Sequence, residues 1–221
     1  MNTQLLWLLF FLLMLLILII ASEILHRYFK LPAEQSRKFL HVSGGLMCLL
    51  FPSLFHSHWW LLPLAIIAFV ILLFSYKKKM LPSIHLTKRY SVGSVLFPLP
   101  VYVCFLMADL NDNDLYFYLP VSLLTISDTA AEIGGNLWGY RSTQFFNGQK
   151  TLAGSLSFLI TALLVSLIWL KLIYHLPIND VLVIAITVSI LTTITELVTL
   201  HGWDNLTVPA VCILILYLFQ A

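Results

Sequence analysis

The residues that could do chemistry in this chain are concentrated in one polar stretch, residues 127–155. It holds two carboxylates, Asp128 and Glu132, and a lysine, Lys150, within a chain that is 60% hydrophobic. Because the two carboxylates are four residues apart, they lie on one face of a helix. Carboxylates near the end of a membrane helix are costly and therefore indicate a functional site. Since Mg²⁺ binds one or two carboxylates together with phosphate oxygens, this pair is a candidate metal site.

The same stretch leaves simpler interpretations open. The carboxylates of Asp128 and Glu132 could be solvated at the membrane surface and paired with Arg141. Gly135 and Gly139, four residues apart on the same helix, are typical of close helix packing. Their missing side chains could instead leave room beside Asp128 for a nucleotide or a lipid head group.

A candidate phosphate site begins at Lys150, where the next apolar run starts. A cation, hydroxyl groups and free backbone N–H groups at the start of a helix attract anions. The predicted phosphate ligands here are Lys150, Thr151, Gly154 and Ser155. The segment is not a Walker A loop, because that motif requires Gly directly before the lysine and this chain has Gln149. The alternative is a helix that is capped by Thr151 and anchored in the membrane by Lys150.

Further basic residues, Arg37 and Lys38, open the second apolar run, with His41 one turn later. Arg37 and His41 share a helix face. The two cations are candidate phosphate ligands, and His41 is placed to hydrogen-bond a phosphate or a substrate hydroxyl. A role for His41 as general base is a weaker prediction. The alternative is a pair of cations that anchors the helix at the membrane surface, next to a core histidine.

A third set of polar residues lies near the end of the chain. Glu196 interrupts an otherwise hydrophobic helix, where a lone carboxylate is costly unless it is paired. Asp204 and Asn205 begin the last helix, and Asp204 alone could be a helix cap. Together with Asp128 they would complete a cation or ribose site. The predicted metal ligands are Asp128, Glu132, Glu196 and Asp204, and Asn205 is predicted to contact the nucleotide.

The elements that must position these residues are membrane helices. Only 10% of the 221 residues are charged, whereas soluble domains carry about 25%. The net charge of +2 and the lack of a basic cluster with interleaved aromatic residues argue against a nucleic-acid partner. No polar segment is long enough to fold separately, so residues 1–221 are predicted to form one membrane-embedded domain. The cysteines predict neither a disulfide framework nor a metal site.

A helix needs about 20 residues to cross the hydrocarbon. This length predicts an all-α, polytopic membrane protein with eight spanning helices, or seven if the last run is too short. The predicted spans are Leu5–Ala21, Phe39–Phe55, Trp59–Tyr76, Val92–Met107, Leu115–Leu137, Leu152–Leu172, Val181–Leu200 and Leu206–Phe219. The first run is predicted to be a retained helix, since its basic residues follow it rather than precede it. Pro98 and Pro100 predict a kink or break in the fourth.

The basic residues predict the orientation of these helices. With the N-terminus outside, eleven of the twelve Lys and Arg residues fall on one face, which the positive-inside rule makes cytoplasmic. The same face receives the loop between Asp128 and Lys150, the start of the second helix and the loop before Asp204. The site is therefore predicted to lie at the cytoplasmic face of a multi-pass protein of the cell's inner membrane.

Taken in chain order, the motifs resemble the phytol kinase, dolichol kinase and CTP-dependent diacylglycerol kinase family of membrane enzymes. The resemblance covers residues 37–210, and residues 1–36 add the first helix and a cytoplasmic loop. The matching motifs are Arg37-Lys38-x-x-His41-x-x-x-Gly45, Gly93-x-x-x-Phe97-Pro98-Leu99, Asp128-x-x-Ala131-x-x-x-Gly135-x-x-x-Gly139, Lys150-Thr151-x-x-Gly154-Ser155, and Glu196 with Asp204-Asn205-x-x-x-Pro209. The resemblance implies an all-helical membrane fold, CTP as phosphoryl donor, a divalent cation such as Mg²⁺, and a long-chain lipid alcohol as acceptor.

The resemblance also implies roles for the candidate residues. The triphosphate ligands would be Arg37, Lys38, Arg141 and Lys150. Asp128, with Glu132 or Asp204, would hold Mg²⁺. The catalytic residues would be His41, Asp128 and Lys150. The lipid alcohol would approach between the helices and leave its tail in the bilayer; a polyprenol, a phytol-like prenol and a diacylglycerol all remain candidates.

Two other functions remain open. Phosphatidate cytidylyltransferases, which make a CDP-lipid from CTP and phosphatidate, are distantly similar around Asp128 and Lys150. A transporter or lipid-binding protein is the second alternative, although charges spread through helix centres would be more typical of it. The chain departs from its relatives at Ala153, where they commonly carry Glu. If that Glu contacts metal or nucleotide in the relatives, either Glu132 or Glu196 fills its role here or the activity of this chain is reduced.

Overall fold

The protein is described here from a computed structural model covering residues 3–85, 91–139, 143–145 and 150–220. This part of the chain is mostly helical, in agreement with the predicted all-α class. The helices are α1 (Thr3–Arg27), α2 (Ala33–Cys48), α3 (Phe51–Leu54), α4 (His58–Lys77), α5 (Pro82–His85), α6 (Gly93–Leu96), α7 (Pro98–Asn111), α8 (Leu115–Ser122), α9 (Asp128–Trp138), α10 (Leu152–Leu167), α11 (Ile178–Val198) and α12 (Asp204–Phe219). Two short strands, β1 (Gln144–Phe145) and β2 (Lys150–Thr151), pair antiparallel.

Within the described ranges, five helical segments are long and apolar enough to cross a membrane. They are α1, α4, the α6–α7 segment Gly93–Asn111, the α10 segment Leu152–Ile173, and α11. Large hydrophobic side chains on α1, α4 and α11 remain exposed, which is typical of a surface in contact with lipid. The structure therefore supports a membrane protein, with five of the eight predicted spans.

The three other predicted spans are helical but differ from the predicted runs. The run Phe39–Phe55 is divided between α2, which starts earlier at Ala33, and the separate short helix α3. The run Leu115–Leu137 forms α8 and α9, and its last part carries Asp128 and Glu132. The final helix α12 has 16 residues, fewer than the usual number for a span.

Helix α8 lies at the centre of the bundle and positions the first carboxylates. All of its residues except Tyr118 are buried, as expected for a helix that is apolar on every side. It continues through a buried π-helical turn, Leu123–Ser127, directly into α9. Such turns are rare and often occur at functional sites. As a result, Asp128 follows the most buried segment of the chain.

The prolines of the fourth apolar run divide it as predicted. Helix α6 ends at Leu96 and α7 begins at Pro98, where the missing N–H of a proline is tolerated. The division lies near the start of the segment rather than at its middle. It separates Gly93 and Ser94, which line the functional cavity described below, from the packed part of α7.

Gly45 sets the distance between α2 and the π-helical turn. A Cβ atom at Gly45 would overlap the side chain of Thr125, whereas a Cβ at Gly44 would meet nothing within 4 Å. We therefore expect Gly45→Ala to lower the free energy of unfolding by about 1–3 kcal/mol through overpacking. Gly44→Ala should leave it unchanged or raise it by up to about 1 kcal/mol, since Ala is the better helix former.

Thermal unfolding of the two variants in detergent, each against the wild type, measures this difference. Because the substitutions are identical and adjacent, they form a matched pair. Equal melting temperatures for Gly45→Ala and Gly44→Ala would contradict the close approach of α2 to Thr125.

Candidate functional site

A polar cavity of about 430 Å³ lies among α2, α6, α9, α10, α11 and α12. It brings together every predicted site residue within the described ranges. These are Arg37, Lys38, His41, Asp128, Glu132, Lys150, Thr151, Gly154, Ser155, Glu196, Asp204 and Asn205. Arg141 lies outside the described residues. Side chains that are up to 168 residues apart in sequence thus face one space.

The first ionic cluster joins α2 to α9. The Lys38 ammonium lies 2.8 Å from Asp128 Oδ2 and 3.0 Å from Glu132 Oε2. Arg37 Nη2 lies 3.9 Å from the same Glu132 oxygen. The carboxylates are therefore neutralised by α2, and Lys38 is their main partner among the described residues. All four side chains remain partly exposed to the cavity, so a ligand can reach them.

The second ionic cluster joins β2 to the last two helices. The Lys150 ammonium donates to Glu196 Oε1 and, at 2.9 Å, to Asp204 Oδ2. Burial by itself lowers the pKa of Lys150, but the carboxylates of Asp204 and Glu196 outweigh it, and the pKa is raised above its ordinary value. Lys150 is therefore a permanent cation. Glu196, which the sequence left without an evident partner, is thus paired with Lys150. Asp204 pairs with the same lysine and is also the first residue of α12.

His41 lies between the first cluster and the buried π-helical turn. Its Nε2 is 2.9 Å from the carbonyl oxygen of Leu124 and 3.7 Å from Asp128 Oδ2, and its ring packs against Phe97. Because a carbonyl only accepts, Nε2 must carry the proton. In the neutral imidazole, Nδ1 is then the acceptor, the atom that could take a hydrogen bond from a substrate hydroxyl.

The start of α10 is held by its own side chain. Thr151 Oγ1 accepts the N–H of Gly154 at 3.1 Å, which confirms the helix cap considered from the sequence. That N–H is therefore already bonded within the protein, and a contact of Gly154 with phosphate stays a prediction. The hydroxyl of Ser155, by contrast, is buried without a hydrogen-bond partner among the described residues.

The glycines of α9 pack against α10. A Cβ at Gly134 would overlap the Ser157 side chain, and one at Gly139 would lie 2.9 Å from Thr151 Cγ2. Gly154 is equally tight, with a Cβ position 2.9 Å from the carbonyl oxygen of Ala131. The close-packing interpretation is confirmed for Gly139, whereas Gly135 also lines the polar cavity, so room for a ligand beside Asp128 stays a prediction. Their packing brings Lys150 and Thr151 alongside the carboxylates of α9.

Asn205 holds the entrance loop of α6 in place. Its Nδ2 donates to the carbonyl oxygen of Gly93 at 2.9 Å. The Val92 N–H donates to the carbonyl oxygen of His201, also at 2.9 Å. Gly202 lies against Gly93 with φ +86°, a conformation that favours glycine. The amide nitrogen of Asn205 is thus committed to the protein, so the predicted nucleotide contact would fall to its remaining atoms.

Several cavity residues were missed from the sequence. They include Glu34, Ser91, Ser94 and Asn136. Glu34 lies one turn before Arg37 and Lys38 on α2, so helical spacing alone could have indicated it. The serines follow a segment without a strong helical pattern, and no signal in the sequence marks them.

The carboxylates of the cavity can supply some of the ligands of a divalent cation, and a bound phosphate and water would have to supply the others. Glu196 Oε2 is buried without a hydrogen-bond partner among the described residues, and carboxylate oxygens are the ligands that Mg²⁺ prefers. However, no group of three or more His, Cys, Asp or Glu side chains within those residues is close enough to hold a metal ion. A Mg²⁺ ion here would therefore need phosphate oxygens and water as further ligands, which is its usual arrangement with nucleotides.

The fold and the site together define a helical membrane protein with a charged, partly accessible cavity at one end of its bundle. The chain belongs to the cytidylyltransferase family, which matches residues 2–199. It is 28% identical over 200 residues to the phytol kinase of Synechocystis sp. (strain ATCC 27184 / PCC 6803 / Kazusa), an alignment that covers 86% of this chain and 82% of that protein. No solved structure matches the chain significantly. The resemblance seen in the motifs is confirmed.

Proposed function

We propose that the protein transfers the γ-phosphoryl group of CTP to the hydroxyl group of a membrane lipid alcohol. The observation that carries this proposal is the meeting of two lysine–carboxylate clusters and His41 in one cavity. The similarity to a phytol kinase supports phosphoryl transfer to a prenol. The segregation of basic residues to one face supports a cytoplasmic site in the cell membrane.

The charges of the cavity favour a nucleotide that arrives with a cation. The described lining residues carry three permanent cations and five carboxylates, so the cavity alone is too negative for a triphosphate. Mg²⁺ would neutralise the phosphate oxygens when bound, with Asp128 and either Glu196 or Asp204 as its protein ligands. The permanent cations Arg37, Lys38 and Lys150 would bind the remaining phosphate charge.

The chain's own residues account for the reaction. Phosphoryl transfer depends mainly on positioning and on neutralisation of developing charge. The acceptor oxygen forms a bond to the γ-phosphorus as the bond to the β–γ bridging oxygen breaks, and CDP leaves with the bonding electrons. The hydroxyl proton passes to Nδ1 of His41, whose ring is oriented by the Leu124 carbonyl. Lys38 and Lys150 stabilise the charge that develops on the phosphate oxygens.

Labelled CTP tests this proposal directly in membranes that contain the protein. With a prenol acceptor, we expect label from the γ position in the lipid product and none from the α position. The opposite pattern with phosphatidate would establish cytidylyl transfer, the alternative favoured by the family match. No lipid labelling in either assay would contradict both reactions and favour a transporter or lipid-binding protein.

A further inference from the structure

An apolar cleft lies next to the polar cavity, between α1, α2, α4 and α7. Its open space is about 100 Å³. Three residues line both spaces: Arg37, His41 and Ser94. Beyond them the cleft walls are almost entirely hydrocarbon, so the cleft begins where the proposed phosphoryl transfer takes place and leads away from it.

One face of α2 forms a wall of the cleft along its length. Gly44 and Cys48 follow His41 at spacings of three and four residues and line the cleft, as expected for one helix face. Phe51, the first residue of α3, continues this wall. Leu49 and Leu50 between the two helices keep a right-handed helical backbone, so the wall from His41 to Phe51 is roughly 15 Å long. The opposite wall, formed by α4, is equally apolar and includes two small side chains; its residues are Leu64, Ala65, Ala68 and Leu72.

Aromatic side chains close the far end of the cleft. Phe11 and Phe51 line it there together with the aliphatic Leu61, and all three are almost completely buried, at 0%, 3% and 1% exposure. The rings of Phe11 and Phe51 are packed edge to face with centroids 4.8 Å apart, and Phe55 packs against both. The cleft therefore has a polar mouth at His41 and a closed aromatic end.

We propose that this cleft binds the hydrocarbon chain of the acceptor, with its hydroxyl group at His41 and its tail along α2 toward Phe51. The inference rests on the proposed function and names its substrate class: a single-chain prenol rather than a two-chain diacylglycerol. A narrow cleft with small residues at Gly44, Ala65 and Ala68 accommodates one chain. Met47, which also lines it, is flexible enough to turn aside.

The closed end predicts a preference for chain length. A tail that fills the cleft from His41 to Phe51 buries the most apolar surface, and burial is the main source of affinity for such a chain. A longer polyprenol would have to displace the Phe11–Phe51 pair. The wall is about as long as the extended chain of farnesol, so we expect turnover to rise from geraniol to farnesol and to fall for geranylgeraniol, phytol and longer polyprenols.

Filling the cleft at Gly44 tests the inference. A Cβ at Gly44 meets nothing within 4 Å, so Gly44→Phe can place its ring in the cleft about one turn below His41. We expect this variant to lose about 10-fold or more of kcat/KM for every prenol of the series, because even the short geraniol chain would have to pass the ring. Leu46→Phe is the matched control, because Leu46 is 50% exposed on the outer side of the same helix and should behave as wild type.

The outcomes separate the cleft from the proposed function. If Gly44→Phe phosphorylates phytol as well as wild type does, the cleft is not the tail site, although the kinase function stands. If wild type transfers no label from CTP to any alcohol, the proposed function fails instead. Photocrosslinking with a diazirine-tagged farnesol then decides the cleft alone: labelling at Met47 and Cys48 supports it, and labelling confined to exposed residues such as Leu46 overturns it.

Discussion

Replacement of Asp128 by Asn should lower CTP-dependent phosphorylation of a prenol by about 10²–10³-fold without unfolding the protein. Asp128 is the residue most closely tied to the proposed chemistry, because it lies 2.8 Å from the Lys38 ammonium and 3.7 Å from His41 Nε2. The amide keeps the size of the side chain and removes its charge. It can then neither bind a divalent cation strongly nor hold Lys38 in place by charge.

Folding should survive this change because Lys38 keeps a second carboxylate. Glu132 Oε2 remains 3.0 Å from the ammonium, so no buried cation is left alone, which would otherwise be costly. The measurement is the initial rate with γ-labelled CTP in membranes that contain equal amounts of each variant.

The matched control for Asp128→Asn is Asp109→Asn. Asp109 lies near the end of α7, far from the cavity, where its Oδ2 accepts the His58 N–H at 2.9 Å. This variant has the same change of charge and should retain wild-type turnover. An Asp128→Asn rate within twofold of wild type would remove Asp128 from the proposed mechanism.

Replacement of Lys150 by Met should have an equally large effect, about 10²–10³-fold in turnover, and should also destabilise the protein. Lys150 is the only cation that pairs with Glu196 and Asp204 among the described residues. Without it, two largely buried carboxylates are left unpaired, and breaking such a buried pair costs about 3–5 kcal/mol. Turnover and thermal unfolding in detergent should therefore both be measured.

A double variant separates the two effects of Lys150. Combining Lys150→Met with Glu196→Gln removes one of the two stranded charges, so it should recover much of the melting temperature. Turnover should stay low, because no cation is restored for the phosphate. Recovery of turnover together with stability would show that Lys150 serves the fold alone.

Lys171→Met controls for the loss of a lysine next to the same helical segment, since Lys150 directly precedes the α10 segment and Lys171 lies near its other end. Lys171 lies about 20 residues further along the α10 segment, roughly 30 Å from Lys150, and donates to the Leu176 carbonyl oxygen at 3.2 Å. Its replacement should change neither turnover nor the melting temperature by much. A loss comparable to that of Lys150→Met would indicate a general effect of charge on expression or insertion.

The two lysine clusters also explain how the bundle keeps its shape around a charged cavity. Lys38 ties α2 to α9, and Lys150 ties β2 to α11 and α12. Each ammonium is shared by two carboxylates. Arg37 balances the charge of the first cluster, whereas the second cluster keeps a net negative charge. A nucleotide with its cation would rebalance these charges, which is why we expect binding and stability to be linked.

The sequence by itself determined the helical class, the positions of most apolar runs and the set of candidate site residues. These are linear properties: a membrane segment must be a helix to satisfy its backbone, and costly charges within it stand out. The basic residues fix the orientation of the apolar runs, and this orientation places His41, Asp128, Lys150 and Asp204 at the same membrane face. Their proximity could therefore be predicted without knowing how the helices pack.

Only the tertiary structure decided the partners and the spaces between the helices. The sequence did not predict that Lys38 pairs with both Asp128 and Glu132; it offered only Arg141, outside the described residues, as an alternative partner. The division of the second run, the π-helical turn and the apolar cleft were also not predicted. Partners and cavities depend on how each helix is rotated and how closely it approaches its neighbours. Those choices are made by contacts between distant residues, such as Gly45 against Thr125, which no local pattern reveals.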